Sequence, residues 1–161
     1  MEKKATTVER KSERELVVTR TFDASARIVF EAWTKPELMK RWWAPKSTGL
    51  ALVACEMDVR VGGKYRLVFT FGGDESKTME FFGRYLEVVP AARLVWTNEE
   101  GGHGGNVTTV TFEEKNGKTL LVMSELYPSK ASLDEAIASG STSGADETFA
   151  QLDALLVALA Q

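Results

Sequence analysis

The chain has 161 residues, of which 43% are hydrophobic and 27% are charged, as in an ordinary globular domain. A chain of this length is predicted to form one domain with a sizeable buried core. Its net charge of −3 at pH 7 argues against a nucleic-acid-binding surface, which needs concentrated positive charge.

Cys55 is the only cysteine, which excludes an internal disulfide and a multi-cysteine metal site. It lies in the apolar run 50–55, which favours a small buried residue over a reactive nucleophile. No run approaches the ~20 apolar residues of a membrane span, and residues 1–15 lack the apolar segment of a secretion signal. We therefore expect a cytoplasmic protein without a membrane partner.

Residues 1–14 are mostly polar and charged, and we expect them to form a mobile tail before a single domain that spans residues 15–161. The domain opens with a strand at 15–22, which is rich in Leu, Val and Thr. Ser25 is a suitable N-cap for a helix that runs to Thr34. Pro36 suits the first turn of a second, short helix at 37–43, which Pro45 ends.

Trp42 and Trp43 stand at the end of this second helix, and two adjacent side chains cannot both face the same core. One interpretation is that one tryptophan is buried and the other covers an edge. The alternative is that one of them lines the mouth of a cavity. The sequence leaves both interpretations open.

A series of strands follows, each bounded by glycine, proline or asparagine. They are predicted at 50–61, 64–71, 77–89, 93–97, 107–114 and 118–127. Asn116-Gly117, between the last two, is the strongest hairpin signal in the chain. Gly83 interrupts its strand and is expected to mark a bulge or a close approach of another backbone. Consecutive strands joined by tight turns predict an antiparallel meander.

The last segment, 145–161, is predicted to be an amphipathic helix. Its apolar residues recur at steps of three and four, and two acidic residues stand in the first turn, where the helix dipole favours negative charge. The apolar stripe consists of Phe149, Leu152, Leu155, Leu156 and Leu159. Such a stripe must pack against an apolar surface, and the sheet is the simplest partner.

The order of these elements, together with several short motifs, resembles the SRPBCC superfamily, which has the START-like or birch-pollen-allergen-like helix-grip fold. Within it, the chain is similar to the branch of the C-terminal domain of the activator of heat shock protein 90 ATPase. The motifs are Val17 to Ala24, Val29 to Trp33, Pro36 to Leu38, Arg41 to Pro45, Gly62 to Tyr65, Gly83 to Pro90 and Arg93 to Thr97. The resemblance spans residues 16–159.

This resemblance implies an α+β fold in which a curved antiparallel sheet of about six to seven strands wraps around a long C-terminal helix, with two short helices after the first strand. It also implies a cavity between sheet and helix that commonly binds apolar or amphipathic small molecules. Phe149 stands where the branch usually has a tryptophan, and the loop before it, through Ser141 to Gly144, is longer than usual. The ligand preference of relatives is therefore not carried over.

The candidate ligand-binding residues are large apolar side chains of the strands, the second short helix and the C-terminal helix. They are Trp42, Tyr65, Phe69, Phe71, Met79, Phe81, Trp96, Phe149 and Leu152. Tyr65, Tyr85 and Arg66 are expected to supply the few polar groups that a binding site needs. The competing interpretation is that the apolar residues form a solid core without a void.

Signatures of catalysis are missing from the sequence, which has no phosphate-binding loop, dinucleotide fingerprint or metal-ligand spacing. His103, the only histidine, lies among four glycines and is interpreted as an exposed loop residue. Glu56 and Asp58 share a strand face, where we expect a solvated position rather than a catalytic pair. The prediction is that there are no catalytic residues, no metal and no cofactor.

Three functions are compatible with these observations. The favoured hypothesis is a non-catalytic carrier or sensor of a small apolar ligand. The alternatives are a co-chaperone-like interaction module whose partner is a heat-shock ATPase, and a pocket enzyme of cyclase or hydrolase type. Self-association as a homodimer is also expected, because an open antiparallel sheet leaves an edge to cover.

Overall fold

The computed structural model describes residues 6–44, 46–72, 74–99, 105–138 and 145–159. Within these ranges the strands β1 to β8 span Thr7–Arg10, Glu15–Phe22, Leu50–Met57, Lys64–Phe71, Asp74–Val89, Arg93–Asn98, Asn106–Lys115 and Lys118–Leu126. The helices α1 to α4 span Ala26–Thr34, Pro36–Met39, Lys130–Ala138 and Ala145–Leu159.

The strands form one antiparallel sheet in the order β1-β2-β8-β7-β6-β5-β4-β3. The predicted meander is confirmed from β3 to β8, where each strand pairs with the next one in the chain, and β2 then pairs with β8. The α+β class and the helix-grip arrangement are confirmed as well. The described part of the chain has eight strands, slightly more than the expected six to seven.

The additional strand is β1, and it lies inside the segment that was expected to be a mobile tail. Its residues pair with β2, from Thr7 opposite Thr19 to Arg10 opposite Leu16. All four residues of β1 are exposed, so no alternation of apolar and polar residues indicated a strand. The segment is ordered by backbone pairing, and it covers what would otherwise be the edge of β2.

The two helices that follow β2 differ in how well they were predicted. Helix α1 begins as expected, with the Ser25 hydroxyl accepting a hydrogen bond from the Ile28 amide. Helix α2 ends at Met39, earlier than predicted. Beyond Met39 the chain continues in turns, in which the Trp42 amide donates a hydrogen bond of 3.2 Å to the carbonyl of Met39. The indole of Trp42 is fully buried and donates a hydrogen bond of 2.9 Å to the carbonyl of Ala32.

The turns between the strands follow the glycine signals. In the β7–β8 hairpin, Asn116 and Gly117 both have positive φ, 55° and 79°, as a two-residue type I′ turn requires. The predicted close approach at Gly83 is confirmed, since a Cβ built there would lie 2.0 Å from the carbonyl oxygen of Thr97. This glycine stands where β5 changes its partner, from β4 before it to β6 after it.

The core lies between the inner face of the sheet and the helices α1 and α4. Phe149 of α4 is 1% exposed and packs edge-on against Phe22 at 5.8 Å and Trp33 at 6.3 Å between ring centroids. Leu152, Leu155 and Leu156 of the predicted stripe are also buried. Burying four large apolar side chains contributes about 1.5–3 kcal/mol each relative to exposure, so this face fixes α4 on the sheet.

Arg20 provides a charged link between α4 and the sheet. Its side chain points to the inner face of β2, is 6% exposed and lies with its guanidinium 5.7 Å from the centre of the Phe22 ring. The guanidinium nitrogens are 3.6 Å from carboxylate oxygens of both Asp146 and Asp153. The two acids stand seven residues apart, two turns of one helix face, so one arginine holds two turns of α4.

Replacing Asp153 by Asn is expected to lower the free energy of unfolding by about 1–3 kcal/mol, because a buried guanidinium loses a partner that is itself only 23% exposed. The matched change Asp146→Asn removes a partner that is 76% exposed, and it is expected to cost less than about 0.5 kcal/mol. Urea unfolding of both variants measures the difference. Equal losses would show that Arg20 does not anchor the helix through its buried partner.

Candidate ligand-binding cavity

A cavity of about 550 Å³ lies between the inner face of the sheet, α4 and the segment around α2. Its volume falls within the range of about 300–1,000 Å³ that is typical of small-molecule sites. Most of its wall is apolar, and the aromatic rings are in edge-to-face contact, such as Phe69 against Phe81 at 5.4 Å. The interior of the protein is therefore not packed solid, contrary to the competing interpretation of the sequence.

The structure brings most of the predicted residues together at this cavity. Six of the nine line it: Tyr65, Phe69, Met79, Phe81, Trp96 and Phe149. Trp42 and Leu152 are fully buried in the core behind the wall. Phe71 is 39% exposed instead of facing inward. It is the last residue of β4, where the pairing with β5 shifts register from Thr70 opposite Thr78 to Phe71 opposite Asp74.

The adjacent residues Trp42 and Trp43 occupy different positions, one in the core and one at the cavity, a question that the sequence had left open. Trp42 is buried, whereas Trp43 is half-buried and lines the cavity. Gln151 of α4 fixes this segment, because its amide nitrogen donates hydrogen bonds of 3.0 Å to the carbonyl of Trp42 and 2.8 Å to that of Ala44. Sequence reasoning missed Gln151, since its partners are more than 100 positions away in the chain.

One end of the cavity is polar, and the sequence did not predict it. Asn98, Asn106, Glu125 and Tyr127 lie there. The Tyr127 hydroxyl donates a hydrogen bond of 3.2 Å to the Glu125 carboxylate. The Asn98 amide donates one of 3.2 Å to the carbonyl of Asn106. An otherwise apolar cavity with one polar end suits a ligand with two unlike ends.

Tyr65 and Tyr85 line the cavity as expected, but Arg66 does not. It follows Tyr65 on β4 and so points to the opposite face of the sheet. There it is half exposed and lies 3.2 Å from Glu56 and 3.1 Å from Glu80. The expected contribution of Arg66 is thus wrong, whereas the solvated position expected of Glu56 is confirmed.

The described lining contains one carboxyl group, that of Glu125, and two phenols, Tyr85 and Tyr127, that stay neutral. Burial holds the pKa of Tyr85 above its usual range. Burial and the adjacent Glu125 carboxylate hold the pKa of Tyr127 above its usual range as well. Among the lining residues that the structure describes there is no Lys, Arg or His, and the described chain contains no cluster of His, Cys, Asp and Glu that could hold a metal.

Two predictions fall outside the described residues. His103 lies in the segment 100–104, and the loop 141–144 precedes α4. In the described part of the chain, no helix combines the length and the apolar character needed to cross a membrane.

The fold and its cavity can now be compared with known proteins. Residues 23–157 match the family described as activator of Hsp90 ATPase homolog 1-like protein. The chain belongs to this family. The resemblance inferred from the sequence motifs is thereby confirmed. No match is found among curated proteins.

Solved structures of bacterial proteins share the fold along nearly the whole chain. A protein from Rhodobacter sphaeroides is 26% identical, with a TM-score of 0.85 over 96% of this chain and 99% of that chain. One from Nitrosomonas europaea is 23% identical, with a TM-score of 0.80 over 91% and 96%. An AHSA1-like protein from Aeromonas hydrophila is 18% identical, with a TM-score of 0.66 over 86% and 93%. At these identities the last two show the fold alone.

Cys55 lies beside the cavity wall on β3 and has the properties of a half-buried structural residue. Its thiol lies 3.4 Å from the thioether sulfur of Met57, which lines the cavity. Burial raises the pKa of the thiol to about 11, more than the nearby Lys40 lowers it. The thiol is therefore protonated at physiological pH, and a protonated thiol is a poor nucleophile.

At pH 9 the folded protein is expected to react with iodoacetamide about fiftyfold more slowly than the protein unfolded in urea, because the raised pKa of Cys55 leaves a small fraction as thiolate. The rate in the folded state should still increase up to about pH 11. Mass spectrometry of timed samples measures both rates. A folded-state rate that levels off near pH 8 would contradict the assignment.

Proposed function

We propose that the protein binds a small apolar or amphipathic molecule in the cavity between α4 and the sheet, as a carrier or sensor without catalysis. The observation that supports this proposal most directly is the cavity itself, about 550 Å³ in volume and walled mainly by aromatic and aliphatic side chains. Transfer of an apolar ligand from water to such a wall is favourable by roughly 25 cal/mol for each Å² buried.

The chemistry of the described lining favours binding over catalysis. Glu125 is its one carboxylate, and no cationic or metal-bound group in the described lining could form an acid–base or nucleophilic pair with it. Cys55 is kept protonated, and Glu56 and Asp58 are exposed and paired with arginines outside the cavity. A pocket enzyme would need an activated group that converges on the substrate.

The family description supports a second candidate, a protein-interaction module that acts on a heat-shock ATPase. This function would use the outer surface and not the cavity. A pull-down with the bacterial heat-shock ATPase tests it, and a variant with a filled cavity separates the two candidates. Such a variant would lose the ligand but keep an ATPase partner.

Filling the cavity from α4 is expected to abolish ligand binding. Thr148 is 8% exposed and lines the cavity, so Thr148→Phe places a ring in the space for the ligand. Ala150, two residues later, is exposed, and Ala150→Phe makes a similar addition toward solvent. The probe is the uncharged dye N-phenyl-1-naphthylamine, whose fluorescence increases in apolar surroundings.

The wild-type protein and Ala150→Phe are expected to bind the dye with equal affinity, and Thr148→Phe at least about tenfold more weakly, since a filled pocket loses the apolar contact area. Circular dichroism checks that both variants are folded. Undiminished binding by folded Thr148→Phe would place the dye elsewhere, and no binding by the wild type would remove the proposal.

A further inference from the structure

A short segment after α2 forms the part of the cavity wall that lies beside α4. It consists of residues 43, 44 and 46–48 and is called the strap below. Trp43 and Ala44 line the cavity, whereas Lys46 and Ser47, which follow in the strap, are exposed to solvent. The strap thus has the cavity on one side and solvent on the other, so its displacement would connect the two.

The strap is fixed to the rest of the fold at both of its ends. Trp42, immediately before it, is fully buried and donates its indole hydrogen bond to the carbonyl of Ala32. Gly49, immediately after it, accepts a hydrogen bond of 2.9 Å from the amide of Gly72. Gly49 has a φ of 77°, a left-handed conformation that glycine adopts without strain. The strap is therefore a short span between two anchored points, with a glycine at one of them.

Between these anchors, two side chains of α4 hold the strap. The side-chain amide of Gln151 donates to the carbonyl of Ala44 at 2.8 Å, and its oxygen accepts a hydrogen bond of 2.9 Å from the amide of Lys46. The Glu147 carboxylate accepts hydrogen bonds from both the amide and the hydroxyl of Ser47. Within the described part of the chain, no other hydrogen bond joins Ala44, Lys46 or Ser47 to residues outside 42–49.

Contacts of this kind are broken without unfolding the domain. Glu147 and Gln151 are four positions apart on one face of α4, and both are partly exposed, so water can replace the strap as their partner. The only aromatic side chain of the strap, Trp43, is half-buried. Segments with few buried apolar contacts open at a lower free energy than the whole domain. The strap is thus the most easily displaced part of the cavity wall.

The opposite, polar end of the cavity is held by the sheet itself. Asn98 and Asn106 are paired residues of β6 and β7, and both line the cavity. The side-chain amide of Asn98 also donates to the carbonyl of Asn106 at 3.2 Å and to the hydroxyl of Thr108 at 3.0 Å. Separating these strands would break the hydrogen bonds of the sheet, whereas moving the strap breaks only bonds to two side chains of α4.

Resting on the function proposed above, we propose that the strap is the entrance of the cavity and that Gln151 and Glu147 are its latch. The ligand passes between the strap and α4 while the latch is released, and the same hydrogen bonds then close the strap again. They are made over the empty and the occupied cavity alike. The two side chains therefore control how fast a ligand enters and leaves, and not how tightly it is bound.

The test measures the rate constants of association and dissociation of N-phenyl-1-naphthylamine by stopped-flow fluorescence. Gln151→Ala removes the hydrogen bonds to Ala44 and Lys46, and Glu147→Ala removes those to Ser47. Each change is expected to raise both rate constants about tenfold, because a weaker latch increases the open fraction of the free and the bound protein. The dissociation constant is expected to change less than about twofold. A faster dissociation with an equally weaker affinity would mean that the latch residues only stabilise the bound ligand, which contradicts the proposal.

The matched control is Asp146→Ala. It removes the carboxylate next to Glu147 in the first turn of α4, but Asp146 faces Arg20 and not the strap. Both rate constants are expected to equal those of the wild type. If Asp146→Ala raised them as much as Glu147→Ala does, the charge at the start of the helix would control entry instead of the contact with Ser47, and the inference would be overturned.

Cleavage by trypsin after Lys46 measures the opening of the strap without a ligand, because a protease cuts a segment only after local opening. Mass spectrometry of timed samples follows the fragment that ends at Lys46. Gln151→Ala and Glu147→Ala are expected to be cut there about tenfold faster than the wild type and Asp146→Ala. Faster cleavage with unchanged dye rates would show that the ligand enters elsewhere. Unchanged cleavage would show that the two side chains do not hold the strap. Either result overturns the inference.

The outcomes also separate this inference from the proposed function. If the dye does not bind to the wild-type protein, the proposed function fails and the entrance fails with it. If the dye binds and Thr148→Phe weakens it, but Gln151→Ala and Glu147→Ala leave both rate constants unchanged, the cavity binds the ligand and only the entrance through the strap is overturned.

Discussion

The packing of α4 against the inner face of the sheet is the interaction on which the rest of the structure depends. Phe149 is enclosed by the rings of Phe22, Trp33 and Trp42, with centroids 5.8–6.4 Å apart. Arg20 adds a buried cation that faces two carboxylates two turns apart on one face of the helix. A buried charge of this kind stabilises only the arrangement that supplies its partners, so it fixes where along the sheet the helix lies.

The cavity follows from how this helix is held. The apolar stripe of α4 packs tightly on one part of the sheet, while Gln151 holds the carbonyls on both sides of Trp43 and keeps that segment at the far wall. The space between these two attachments is left for a ligand. The surrounding strands supply rings rather than charges, and the polar groups are gathered at the end near Glu125 and Asn106. The fold thereby gives the cavity an apolar main part and one polar end.

Local chemistry explains what could be predicted from the sequence and what could not. The Asn116-Gly117 turn, the Ser25 cap and the stripe headed by Phe149 act over a few residues, and all three are observed. The anchoring role of Gln151 depends on partners more than 100 positions away, so no local pattern contained it. The strand β1 pairs with the neighbouring β2, but all four of its residues are exposed, so no alternation of apolar and polar residues marked it. Phe71 was misplaced because it ends β4 at a register shift against β5, where the strict alternation on which the prediction was based no longer holds.

The central claim is that the space beneath α4 is open and apolar in the folded protein. A crystal structure determined under xenon pressure tests it most directly, because xenon enters dry apolar cavities that are large enough to hold it. The account predicts xenon density among Phe69, Phe81, Trp96 and Phe149. Side chains collapsed into that space, with no xenon bound between the helix and the sheet, would contradict it.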